Sequence, residues 1–164
     1  MSEERLPDWR NINVRRNRKY EAVVDRLCSR RSEYTSKPIF EFNKDLMVFA
    51  AVLGFSKGRR EELEPDSIQI TLQTYASDEK DGFIYLLSLV ETKDVSCLKD
   101  ENLSSAVKIF EQYCNGGLAL ICDWLEDNPG DIEGVDTLIS HLSDELADQR
   151  EKTVTSPKEV DVEF

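Results

Sequence analysis

The chain is poor in the residues that most often carry chemistry. It has one histidine, His141, among 164 residues, and no cysteine or second histidine stands at ligand spacing from it. That leaves no histidine-assisted nucleophile to defend. The four cysteines, Cys28, Cys97, Cys114 and Cys122, are widely spaced in or beside apolar segments, so they read as reduced core thiols and not as a zinc set or a disulfide framework. No run of about 18 apolar residues occurs, and the N-terminus lacks the apolar centre of a secretory signal. A soluble, cytoplasmic protein with no membrane association is expected. Gly116-Gly117 and Gly54-x-x-x-Gly58 lack the strand-loop-helix setting and the Lys-Ser/Thr ending of a phosphate loop. No cofactor and no metal are expected, and no catalytic residue stands out.

What is present is charge, unevenly placed. Residues 1–60 hold 14 Lys+Arg against 8 Asp+Glu, whereas residues 61–164 hold 7 against 25. A basic head therefore joins an acidic body, with a net charge of −12 for the whole. That total opposes nucleic-acid binding by the surface at large, though not by a local basic face. The cations Arg15, Arg16 and Lys19 near the first helix, and Lys57, Arg59 and Arg60 after the second, form the candidate contact set for phosphate or for an acidic partner surface. An acidic body beside a basic head also suits docking onto a partner protein or a second copy of the chain.

Apolar spacing predicts a mainly α protein, a compact bundle of about six helices with at most a minor strand element near residues 67–75. Residues 1–17 read as an irregular basic arm, 18–149 as a single helical domain and 150–164 as a disordered acidic tail. The first helix is expected over Arg18–Arg30. The second is expected to be capped by Asn43 and stopped at Gly54, delivering Lys57, Arg59 and Arg60 beyond it. Residues Ser67–Tyr75 alternate apolar and polar as a half-buried strand does, and need a pairing partner. Asp81–Lys93 is so apolar that it reads as the central helix. A helix from Asn102 or Ser104 is expected to end at Asn115-Gly116-Gly117, where another starts and runs to Glu126. A last helix follows the Asp127-Asn128-Pro129-Gly130 turn.

One constellation imitates an enzyme. Pro65-Asp66 followed by Glu91-Thr92-Lys93 spells the order of a metal-dependent nuclease core, but that chemistry needs the second carboxylate and the lysine on a strand beside the first carboxylate. Here they fall at the end of a helix.

Two blocks resemble a known family. Phe42-x-x-x-Asp45 leads to Phe49-Ala50-Ala51-x-Leu53-Gly54-x-x-x-Gly58-Arg59-Arg60, and Phe110-Glu111-x-Tyr113-x-Asn115-Gly116-Gly117-Leu118 follows. Over about Lys19 to Trp124 the chain resembles Dnd system-associated protein 4, also called DNA phosphorothioation-associated protein 4. The resemblance implies an accessory protein of a prokaryotic DNA modification and restriction system that defends against phage, and no catalytic residues to transfer. The expectation is a non-enzymatic adaptor that docks onto larger effector proteins of a defence operon, of ATPase or nuclease type, with a weak DNA contact through its head. A stand-alone DNA-binding regulator and a metal-dependent nuclease are the alternatives.

Overall fold

The computed structural model describes residues 8–29 and 36–154. Among these described residues there are six α-helices and one small antiparallel sheet, so the mainly α expectation holds. The helices are α1 (Glu21–Cys28), α2 (Asn43–Ser56), α3 (Leu72–Ala76), α4 (Asp81–Thr92), α5 (Leu103–Asp127) and α6 (Val135–Val154), and the strands are β1 (Asn13–Asn17) and β2 (Ser67–Thr71).

The centre of the molecule is α5 packed on α2, not α4. Leu46, Met47, Ala50 and Leu53 of α2 and Phe110, Tyr113, Cys114 and Leu118 of α5 are all buried. The backbones approach so closely that a Cβ built on Gly117 would lie 1.8 Å from the Ala50 carbonyl oxygen, and one on Gly54 2.1 Å from that of Tyr113. A Cβ on Gly116 would lie 2.0 Å from the Arg59 carbonyl oxygen. The Gly116-Gly117 pair, expected as a corner between two helices, is therefore a contact surface inside one continuous 25-residue helix. Gly54 likewise does not stop α2, which continues to Ser56. The stop is Gly58, at φ 62°. Its N–H donates to the Phe55 carbonyl at 3.0 Å and that of Arg59 to the Gly54 carbonyl at 2.8 Å, the paired bonds of a Schellman ending. At the other end Phe42 occupies the cap position without a side-chain bond, and Asn43 is already helical. Asp45 in the first turn supplies the anion favoured by the helix dipole.

The strand element at Ser67–Thr71 finds its partner in a segment expected to be irregular. Residues Asn13–Asn17 form β1, in antiparallel register with Val14 opposite Ile70 and Arg16 opposite Ile68. The other edge of β1 is held by α5: Glu111 Oε1 accepts from the Arg15 N–H at 2.8 Å, and Asn115 Oδ1 from the Asn17 N–H at 2.9 Å. Side chains one helical turn apart thus take the alternate amides that a third strand would take. After β2 the chain turns into α3, where Tyr75 is fully buried, meets Phe110 edge-on at 5.9 Å and directs its hydroxyl to Met47 Sδ at 3.0 Å.

Helix α4 covers one side of α5 with Ile84 and Leu87 and leaves Phe83, Leu86 and Val90 exposed. Its apolar circumference, expected to mean central burial, is half in water. Helix α6 is attached more thinly. Asp131 caps its start by accepting from the amides of Gly134 and Thr137 and from the Thr137 hydroxyl. Leu138 enters the core, and His141 stacks on Trp124 of α5 at 4.2 Å and 7°. The helix extends to Val154, past the start of the expected tail at 150. Residues 155–164, the rest of that tail, lie outside the described residues, as does Arg30.

Candidate functional site

The six candidate cations start from different elements and meet different fates. Arg16 points inward from β1 and is 1% exposed. Its Nη2 lies 2.7 Å from Glu21 Oε2, while Nε and Nη1 have no hydrogen-bond partner. It is a core residue and offers nothing to a partner at the surface. Arg15, its neighbour, contributes its main-chain amide to Glu111.

The other four are exposed in part, and each is matched by a carboxylate of the acidic body. Lys19 Nζ lies 2.6 Å from both Glu61 and Glu64. These two bonds push its pKa above the usual lysine range. Burial pushes Glu61 up, but the bonds from Lys19, Tyr20 and Asn17 outweigh it and hold the carboxyl below its usual range. Lys57 pairs with Glu145 of α6, and Arg59 with Asp123 of α5 at 3.0 Å. Arg60 Nη1 lies 2.7 Å from Glu91 Oε1, its Nη2 bonds Gln112, and its guanidinium sits 5.0 Å from the centre of the Tyr113 ring. Arg18 adds a pair with Asp66 at 2.7 Å. Lys19, Lys57, Arg59, Arg60 and Arg18 are thus matched within the fold, head cation against body carboxylate, whereas the guanidinium of Arg15 is exposed.

The nuclease-like constellation resolves in the same way. Asp66 is bound to Arg18 beside β2, whereas Glu91, on α4, accepts from Arg60 and from the Tyr113 hydroxyl at 2.7 Å. Lys93 ends α4 in the left-handed conformation at φ 54°. Among the described residues, no three of His, Cys, Asp and Glu are grouped so as to hold a metal ion. Burial pushes the Cys114 thiol up to about 12 and the Cys28 thiol to about 11, which keeps both protonated and unreactive near neutrality.

Glu111 is a carboxyl drawn toward its neutral form. Burial pushes its pKa up to about 7, against the opposing effects of the Arg15 amide and the charges of Arg15 and Lys108. Its role is to hold β1.

Sequence reasoning missed the apolar surface. Phe83, Leu86 and Val90 line one side of α4, with Val95 and Leu98 exposed just beyond it, and Ile139, Leu142 and Leu146 do the same on α6. On α2, Val52 is 42% exposed and faces the same groove as Leu142 and Leu146. The signal was present in α4, whose apolar residues exceed what one face can bury. In sequence the same excess points to a central position.

No curated protein and no solved structure matches the chain. A family model does, from residue 13 to residue 161, and its span takes in β1, every helix and the cations above. The chain belongs to the family of DNA sulphur modification system-associated protein 4.

Proposed function

We propose that the protein is a non-catalytic accessory subunit that docks onto effector proteins of a DNA sulphur modification system, in the defence role such systems serve. Membership of a family named for its association with such a system supports the context. One observation carries the docking role. Four of the six candidate cations, Lys19, Lys57, Arg59 and Arg60, already have carboxylate partners of the same chain and Arg16 is buried, which leaves Arg15 exposed and, among the described residues, without an ion pair, while large apolar side chains on α2, α4 and α6 stay in water. A surface of this kind gains more from covering apolar area than from neutralising phosphate. Any DNA contact is then a weak, salt-sensitive addition through Arg59 and Arg60, and the chemistry belongs to the partners.

The test is recovery of the tagged protein from its native operon. Co-purification of other proteins of the system is the expected result, and recovery alone as a monomer overturns the reading. Incubation with DNA and Mg²⁺ or Mn²⁺ provides the second arm. Cleavage that disappears in Glu91→Gln would establish an enzyme where an accessory subunit is proposed.

A further inference from the structure

We propose that the groove between α2 and α6 receives a basic amphipathic helix of a partner protein; this names the partner chemistry for the accessory reading above and rests on it. The groove has a volume of ≈ 320 Å³ and is walled by Phe49, Val52 and Leu53 of α2 and by Leu142, Glu145 and Leu146 of α6. Each helix contributes residues at i, i+3 and i+4, so two seams at helical spacing open into one channel. Val52, Leu142 and Leu146 are exposed there, Leu146 at 60%.

Both walls are helices whose main-chain groups are bonded internally, so the groove offers no ladder to an extended strand. An occupant must satisfy its own backbone while presenting apolar side chains to two seams, which is the recognition mode of a helix laid in a groove. The sign of the partner follows from the surroundings. The wall helix α6 carries five carboxylates, Asp136, Asp144, Glu145, Asp148 and Glu151, against two cations, Arg150 and Lys152. Lys57, just past the end of α2, is paired with Glu145. A second copy would bring its own acidic α6 against this one under a net charge of −12 each, and the chain's last ten residues, with three carboxylates and one lysine, have the same sign. Like charges brought together in this way oppose association. A helix with Lys or Arg flanking an apolar stripe meets both the apolar seams and the exposed carboxylates that α6 carries outside the groove, Asp144, Asp148 and Glu151.

The test uses the full chain and a fluorescein-labelled Leu/Lys peptide of roughly five helical turns, followed by anisotropy. Its partner probe is the same composition with the helical spacing scrambled. Binding of the amphipathic peptide over the scrambled one is expected, with a loss of about tenfold or more in Leu146→Asp and no change in Leu86→Asp on α4. Both positions are exposed, and far-UV circular dichroism checks that both variants fold. Equal binding of the scrambled peptide, or equal loss in Leu86→Asp, overturns the assignment. So does a concentration-dependent dimer that Leu146→Asp abolishes, since the occupant is then a second copy. Pull-down from the native operon separates the two readings. If Leu146→Asp still recovers the proteins of the system, the groove assignment fails and the accessory reading stands; if the unsubstituted chain recovers none, the accessory reading fails and the peptide result judges the groove alone.

Discussion

Substituting Gly117 by Ala probes the contact on which the fold is built. In an exposed helix this change is favourable by about 1 kcal/mol, because Ala gives up less backbone entropy than Gly. At Gly117 the new Cβ would stand 1.8 Å from the Ala50 oxygen and 2.5 Å from its carbonyl carbon. Non-bonded heavy atoms settle near 3.5 Å, so α2 and α5 must separate by on the order of 1.5 Å, and even a gap of about half that forfeits a quarter or more of each dispersion contact across the seam. The obstacle is backbone on a buried helix, which cannot rotate aside as a side chain can. Overpacking of this kind costs at least about 3 kcal/mol, leaving a net loss of about 2 kcal/mol or more after the gain in propensity. For a chain of this size that lowers the melting temperature by about 4 to 8 °C or more. Gly82→Ala is the matched control, because a Cβ there meets nothing within 4 Å on α4. It should stabilise by roughly 0.5–1 kcal/mol. Urea titrations read by far-UV circular dichroism compare the two. A Gly117→Ala midpoint at or above that of the unsubstituted chain would refute the close-approach argument.

Three further outcomes follow from the same geometry. Burial pushes the Glu111 pKa up to about 7 in the folded chain, above its unfolded value, so its contribution to stability is present below the unfolded pKa and is lost as pH rises through about 7; that loss is on the order of 3 kcal/mol. Glu111→Gln, which keeps an acceptor for the Arg15 amide, should flatten this dependence in urea titrations between about pH 5 and 8, and an unchanged profile would assign it elsewhere. Arg16→Met should leave stability within about 1 kcal/mol, because a buried guanidinium without a full set of bonds is replaced at similar volume, whereas Arg16→Ala should lose about 2 kcal/mol or more to the cavity; equal large losses would mean that the Glu21 pair matters more than the packing. In a DNA mobility-shift assay, Arg59→Ala with Arg60→Ala should alter an already weak, salt-dependent retardation only slightly, and strong retardation abolished by the pair would favour a stand-alone DNA-binding protein.

Much of the helical content was legible because apolar side chains at helical spacing leave few alternatives: α1, α2, α4 and the apolar stripes of α5 and α6 follow from that spacing. The errors share one physical origin, which is that local grammar does not report what lies across a contact. Gly116-Gly117 has the composition of a corner, and only the approach of Ala50 and Arg59 from elsewhere makes it a helix interior. The segment Asn13–Asn17, with Val14 as its only apolar residue, gives no strand signal, because its pairing depends on β2 and on the side chains of Glu111 and Asn115. The candidate cations were identifiable as a group, yet their pairing with Glu61, Glu91, Asp123 and Glu145 joins parts of the chain that no sequence window spans together.

The attachment of β1 also dictates an order of assembly. Its Arg15 amide closes a contact over 96 residues, its Asn17 amide one over 98, and Arg26 of α1 reaches Asp131 over 105. Contacts of such separation form late, since loop closure must precede them. During synthesis from the N-terminus, β1 can pair with β2 first but keeps its other edge open until α5 has emerged, and α1 waits until the turn before α6 is made. A segment made early is thus secured late.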